Sequence, residues 1–471
     1  MKSLWAAFNY LGLLLGVVFS LLVLSRRSRS TAATWAWLLS FFAFPFLAPF
    51  GYLLVGYSNM SRRKRPKPTP QKRLPEMGFM MKSAIGDLSP RFLPVAQLCE
   101  NLSGFPPTSG NNLEFFEGQE SIYQSLTDSL EKASHSIFLE YYIFRPDSVG
   151  QHFRDLLVRK AQEGVKVRVL VDHVGSFSLN HKFLEPLKQA GGEVAFFGKL
   201  TLKRPWGFQL RNHRKIAIVD GTRAFTGSQN ICSDFRKWRI RKLDWIDSQV
   251  MIQGPAVTQL ETVFLEDWDF TTGEKLALSN SETVPSQLGN SVVQILPTGP
   301  DEPPRAFEKI LMALIHGAQA RITLLTPYFI PTEAVAISLE AATRRGVQVE
   351  ILVPRKSDHW LVDAASKSWY WELLRSGVKI WESPESFIHA KQITIDGEIA
   401  LMGSANMDER SFRLNFENTT LIYDPTKVSM FENGFSHRLN QSHALSLENF
   451  SDLNFPLRIR DGLFRLVSPL L

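Results

Sequence analysis

Two stretches near the start of the chain are apolar almost throughout. Residues 4–24 hold no charged side chain, and a second uncharged stretch between Arg29 and Arg62 has its apolar centre at residues 35–55. Each matches the roughly 20 residues that a helix needs to cross a bilayer core. Pro45, Pro49 and Gly51 predict a kink of the kind that membrane helices tolerate. Residues 1–60 therefore read as a hairpin of two transmembrane helices. Arg26, Arg27 and Arg29 stand where a cleaved signal peptide would need small residues, which argues against cleavage.

Beyond residue 113 the apolar pattern shortens and repeats. SIFLEYYIF at 136–144 precedes a helical stretch at 153–163 and then GVKVRVLV at 164–171; RITLLTPYFI at 321–330, a helical stretch at 333–345 and GVQVEILV at 346–353 follow the same order. Strand, helix, glycine and strand is the signature of a parallel βαβ unit. Its recurrence predicts two α/β halves related by duplication, 113–280 and 291–471, packed as pseudo-twofold partners. Residues 277–291 (ALSNSETVPSQLGNS) read as their connection, and residues 61–112 as a basic, proline-rich linker into the body.

The 471 residues include 53 Lys and Arg against 46 Asp and Glu, a formal charge of +7. The first 75 residues hold eleven of the basic side chains and none of the acidic ones, which leaves 42 against 46 in the rest. A slightly acidic body is a poor ligand for nucleic acid. Three Arg lie between the two apolar stretches and seven Lys and Arg lie at 62–73, so the positive-inside rule puts the body on the cytoplasmic side, beside anionic lipid head groups. Cys99 and Cys232 stand far apart and read as free thiols; the composition excludes a disordered, collagen-like or disulfide-stapled protein.

Each half contains the same spaced set. His213, Lys215, Asp220, Gly227, Ser228 and Asn230 repeat as His389, Lys391, Asp396, Gly403, Ser404 and Asn406, both fitting HxKx4Dx6GSxN without a gap. On a strand, residues two apart share a face, so each His lies beside its Lys. The Asp-Gly pairs predict tight hairpin turns, and the return strands bring Gly-Ser-x-Asn back to the same end. An imidazole, an ammonium, a hydroxyl and an amide in each half suit a phosphodiester: Lys, Ser228, Asn230, Ser404 and Asn406 contact phosphate oxygens, while two imidazoles divide the roles of nucleophile and general acid. The turn alone explains Asp220 and Asp396. Asp247 and Glu417 are candidates to orient the imidazoles, Glu417 in the second half and Asp247 in the comparable stretch of the first. There is no HExxH and no dense carboxylate cluster, so neither a metal nor another cofactor is expected. Trp206, Phe208, Trp238 and Trp245 flank the first motif. Core packing accounts for most aromatics, with the loop of Trp206 and Phe208 a candidate for interfacial insertion.

The paired motifs resemble the phospholipase D superfamily, and the text around them is similar to that of bacterial cardiolipin synthases: EYYIF at 140–144, RNHRK at 211–215, TPYFIP at 326–331, GSANMDERS at 403–411, NFE at 415–417 and SPLL at 468–471. One departure is Trp245, Ile246, Asp247 and Ser248, where relatives often carry Trp-Arg-Asp-Thr. The resemblance implies two phospholipase D-like halves behind a membrane anchor, and a catalytic set of His213, Lys215, Asp220, His389, Lys391 and Asp396 with His213 as nucleophile and His389 as acid and base. It implies transfer of a phosphatidyl group from one phosphatidylglycerol to another at a bacterial inner membrane, yielding cardiolipin and glycerol. A hydrolytic phospholipase D, a nuclease and a non-catalytic membrane scaffold are the alternatives.

Overall fold

The computed structural model describes residues 2–25, 31–53, 73, 81–199, 209–233, 244–279, 288–384, 386–451, 459 and 462–465. Trp206, Phe208 and Trp238, singled out above, lie outside them. The chain forms two compact units, residues 1–64 with 199–210 and residues 65–198 with 211–471.

In the first unit the apolar stretches become α1 (Lys2–Leu24), α2 (Thr31–Ala43) and the short α3 (Leu47–Gly51). Gly12 lies against Pro45 and Gly16 against Phe42 and the Phe41 carbonyl, so α1 and α2 approach closely. Val23, Phe41 and Tyr52 are buried in that contact, and Phe19 and Trp37 meet the Tyr52 ring edge-on. Tyr10, Leu14, Leu21, Trp35, Leu39 and Leu47 point outward, exposed. Among the described residues no helix is long and apolar enough to cross a membrane. The expected second span is interrupted. Pro45, lacking an N–H, follows the end of α2, and the 13 residues of α2 reach about 20 Å against a bilayer core of about 30 Å.

The second unit is built on β1 (Thr108–Glu117), β2 (Ser136–Tyr141), β3 (Lys166–Asp172), β4 (Glu193–Phe197), β5 (Lys215–Val219), β6 (Arg223–Gly227), β7 (Asp244–Ile246) and β8 (Ser248–Gln253). The second half repeats them as β9 (Ser291–Thr298), β10 (Arg321–Leu325), β11 (Gln348–Pro354), β12 (Lys379–Ser383), β13 (Ser386–Ile388), β14 (Gln392–Ile395), β15 (Ile399–Gly403) and β16 (Glu417–Ile422), with β17 (His443–Ala444) added at the edge. Among the described residues, fifteen strands form one sheet. It reads β8-β6-β5-β2-β3-β4 outward from β1, and β16-β15-β14-β10-β11-β12 outward from β9, with β1 and β9 antiparallel at the centre. That palindrome is the signature of duplication. β2, β3 and β4 are parallel, as are β10, β11 and β12. The inner strands β2, β3, β10 and β11 are largely buried and rich in Val, Ile and Leu, as parallel strands covered by helices require, whereas β4 and β12 nearer the edges are only partly buried.

The body begins before residue 113. β1 starts at Thr108, and the helix Leu93–Ser103 contributes Val95, Ala96 and Cys99 to the second half's core, so the expected linker carries structural elements. Arg73, counted above among cations available to lipid, is instead buried. It donates to Glu266 Oε1 (2.8 Å), to Glu302 and to the Ser103 carbonyl, with its guanidinium over the Phe105 ring.

Candidate active site

β5 runs antiparallel to β2 with Lys215 opposite Tyr141, and β14 runs antiparallel to β10 with Gln392 opposite Leu325. Each His-x-Lys therefore enters its half beside the carboxyl ends of the parallel strands. Both hairpins then turn on residues with positive φ, Asp220 (54°) with Gly221 (62°) and Asp396 (53°) with Gly397 (70°), the geometry of a type I′ turn. The turn is pinned by the Asp side chain. Asp220 accepts the N–H groups of Ser134, His135 and Ser136, which, although burial pushes the other way, hold its carboxyl below the usual range. Asp396 accepts those of Gln319, Ala320 and Arg321 and pairs with Arg91. Both sit at the opposite end of their strand from the histidine, so no reacting group meets them, and their work is structural.

The histidines are joined to the opposite halves. The His213 N–H donates to the Phe416 carbonyl (2.9 Å), and the His389 N–H to the Ile246 carbonyl (2.8 Å); β7 and β13 pair in parallel beside it. This backbone exchange places the next residue of each partner strand against the imidazole. His213 Nδ1 lies 2.9 Å from Glu417 Oε2, and His389 Nδ1 lies 2.6 Å from Asp247 Oδ1. The sequence had suggested Glu417 and Asp247 as partners within their own halves; the structure crosses them.

The serines of the two motifs do not face a substrate. Ser228 Oγ donates to Asp247 Oδ1 (2.5 Å) and Ser404 Oγ to Glu417 Oε2 (2.6 Å), so each fixes the carboxylate that serves the other half's histidine. They can do so because their strands close up at the preceding glycines: a Cβ at Gly227 or Gly403 would sit 2.2 or 2.1 Å from a carbonyl oxygen of the neighbouring strand. Glu417 also accepts from Ser411 Oγ (2.9 Å) and Asn415 Nδ2 (3.3 Å). Asp408 caps the turn that presents Ser411, and burial pushes its carboxyl up to about 6. These three escaped the motif because their spacing belongs to one half only. Asn230 accepts the Ile143 N–H, whereas Asn406 leaves its buried Oδ1 without a partner.

Lys215 and Lys391 are buried, each donating to its own histidine's carbonyl at 2.6 Å and keeping two further N–H bonds to offer. Burial lowers Lys215 to about 7 and Lys391 to about 8. Burial likewise lowers His213 to about 4, outweighing Glu417, and lowers His389, helped by Lys391. Against the opposite pull of burial, the facing histidines and the lysines hold Asp247 and Glu417 below the usual carboxylate range. His213 feels Lys391 and His389 feels Lys215, so the two sets share one electrostatic site. The Tyr142 ring packs edge-on to His213 (4.9 Å between centroids), and Trp245 packs against His389 (5.2 Å).

The halves differ behind the histidines. Arg214 pairs with Asp267 and donates to the Glu417 carbonyl (3.1 Å), while Asn212 donates to Glu140 (2.5 Å). Burial pushes the Glu140 carboxyl well up. At the corresponding places the second half has Ala390, Ile388 and Leu325, packed with Leu352 and Phe435 as an apolar cluster. Among the described residues no group of three or more His, Cys, Asp or Glu is placed to hold a metal ion. Two neutral imidazoles beside two ammonium groups suit attack on an anionic phosphorus centre, with one nitrogen of each ring already fixed.

A family described as cardiolipin synthase, PLD-like domain, matches residues 126–268 and 311–439, one segment in each half of the sheet. The chain belongs to this cardiolipin synthase family of phospholipase D-like proteins. It is 34% identical over 464 residues to a cardiolipin synthase of Geobacillus kaustophilus (strain HTA426), covering 97% of this chain and 92% of that one. It is 33% identical over 475 residues to the major cardiolipin synthase of Bacillus subtilis (strain 168), covering 97% and 98%. A crystal structure of phosphatidylserine synthase from Haemophilus influenzae Rd KW20 has the same fold, with a TM-score of 0.58 at 16% identity over 80% of this chain and 100% of that one.

Proposed function

We infer that the chain is a phosphatidyltransferase that makes cardiolipin from two molecules of phosphatidylglycerol, through a phosphohistidine. The observation that carries the mechanism is the crossed pair of imidazole–carboxylate contacts. With Nδ1 held by Glu417, His213 presents Nε2 and its lone pair to phosphorus, and burial keeps it unprotonated at neutral pH. Attack forms the P–N bond and breaks the P–O bond to the departing glycerol, which takes its proton from His389. The anionic phosphate offsets the repulsion of Lys391 and so favours the protonated His389 that this step needs. The hydroxyl of the second phosphatidylglycerol then gives its proton to His389, attacks phosphorus and releases His213.

The apolar stretches at 4–24 and 35–55 anchor the enzyme in the inner membrane, with the body on the cytoplasmic side. The absence of charge in these stretches, the outward apolar side chains of α1 and α2 and the basic residues at 62–72 support this reading. A cysteine placed at Ser28 tests the orientation: a membrane-impermeant maleimide should label it in intact cells, and no labelling until lysis would reverse the topology. The reaction is tested with the purified full chain in phosphatidylglycerol vesicles. Cardiolipin and glycerol should appear in equal amounts, and acid-labile radiolabel from a phosphatidyl-labelled donor should be trapped on the wild type but not on His213→Ala. Phosphatidic acid as the main product would make the enzyme a hydrolase.

A further inference from the structure

In each half one loop leaves the sheet at the end where the histidine enters. After β3, Asp172 Oδ2 accepts the Asn212 N–H (2.9 Å), while its Oδ1 takes the N–H groups of Val174 and Gly175. Ser176 Oγ then donates to the carbonyl of Tyr142, whose ring packs on His213. The next residue, Phe177, is 82% exposed. After β11, Asp358 accepts the Tyr328 hydroxyl (2.7 Å) and acts electrostatically on Lys391, and two residues later Trp360, edge-on to the Phe464 ring (5.8 Å between centroids), remains 61% exposed. The strand pairs β2–β3 and β10–β11 are equivalent, so the two aromatics hold nearly corresponding places about the pseudo-twofold.

One exposed apolar residue is ordinary, but two large aromatics at nearly matching places, each beside a braced turn at the histidine end of the sheet, point to a surface with a partner. Both neighbourhoods also carry exposed cations, Lys182 beyond Phe177 and Arg355 and Lys356 before Trp360. An aromatic beside basic residues suits the boundary of an anionic bilayer, where the ring enters the acyl region and the cations meet head groups.

We propose that Phe177 and Trp360 form a two-pronged docking surface that seats the catalytic body on the anionic bilayer with the histidine site facing it. The surface rests on the phosphatidyltransferase reading, because it supplies the route by which a lipid reaches a site off the membrane. Its partner is the lipid surface itself, distinct from the apolar stretches of the anchor. The docked orientation is broken by removing the prongs and leaves the chemistry of the site untouched.

Cys99 and Cys232 are buried, so single cysteines introduced as Phe177→Cys, Trp360→Cys and Lys132→Cys take up an environment-sensitive dye selectively. Lys132 is exposed and lies beside the Asp220 turn, at the other end of the first half's strands. In the full chain reconstituted in vesicles rich in phosphatidylglycerol, acyl-brominated lipid should quench the dye at 177 and 360 and leave the dye at 132 unchanged. Equal quenching at all three positions, or none, overturns the docking surface. Cardiolipin output of the same preparations is read in parallel: output without quenching rejects the surface alone, and a wild type that makes no cardiolipin rejects the phosphatidyltransferase reading. Phe177→Ser with Trp360→Ser should lower the vesicle rate about tenfold and the rate on short-chain lipid dispersed below its micellar limit by less than twofold. Equal losses on both substrates also overturn the proposal.

Discussion

Glu417 accepts a hydrogen bond from His213 across 204 residues of chain, and Asp247 does the same for His389 from the other direction. Neither half therefore contains a complete imidazole–carboxylate pair. Glu417→Gln keeps the shape but ceases to favour the Nδ1–H tautomer of His213, so kcat for cardiolipin formation should fall by roughly 10²–10⁴ with KM changed little. Asp247→Asn should behave alike through His389. A loss confined to KM in either variant would show that the carboxylate binds substrate instead.

Ser404 and Ser228 offer a sharper contrast between binding a phosphate and fixing a carboxylate. Each hydroxyl is committed to an orienting carboxylate, so Ser404→Ala should cost about 1–2 kcal/mol, read as a roughly tenfold lower kcat with an unaltered KM for phosphatidylglycerol. Steady-state kinetics in mixed micelles measures the split. A raised KM at constant kcat would return the serines to the phosphate.

Activity and stability should respond to alkali in opposite directions. The lysines need their protons to neutralise phosphate, and burial places Lys215 at about 7 and Lys391 at about 8, so kcat/KM should decline above that range. His213, at about 4, stays neutral well below pH 7 and imposes no loss there. The unfolded chain keeps both lysine protons to about pH 10.4. Between pH 7 and 9 it therefore binds more protons than the folded one, and the lysine contribution to unfolding free energy rises with pH. Parallel rate and chemical-denaturation profiles check this; a rate that climbs through pH 9 would refute the protonated-lysine role.

Asp396→Asn separates turn from site. Three backbone N–H groups and Arg91 lose a charged acceptor, which should cost about 1–3 kcal/mol and lower the melting temperature. The rate per folded molecule should stay within about twofold, because the residue lies at the far end of its strand. Calorimetry together with an active-site titration gives both numbers.

The duplicated His-x-Lys pairs are legible in the chain because a strand's period of two keeps neighbours on one face, and the Asp-Gly turns because only a few residues tolerate positive φ. The crossing of Glu417 and Asp247 is not legible, since no local spacing records which strand of a distant half lies alongside. The serines were misread for a related reason. Their position next to a required glycine is local, but the acceptor they meet sits on another strand. Arg73 shows the limit of counting charge: a basic run suggests a lipid contact, yet one member of it satisfies two buried carboxylates. Asn212 and Arg214 stand in plain view beside His213, while their tie to Glu140 and Asp267 depends on how a later helix covers the sheet. The apolar stretches were read as two full spans, and Pro45 divides the second of them.

The crossed carboxylates have a bearing on biosynthesis. His213 lacks its orienting partner until the ribosome has added Glu417, 204 residues further along. A product that stops short of Glu417 can hold the His389–Asp247 pair, yet its His213 has no carboxylate on Nδ1 to fix the tautomer. The strand that bears Glu417 is thus what arms His213.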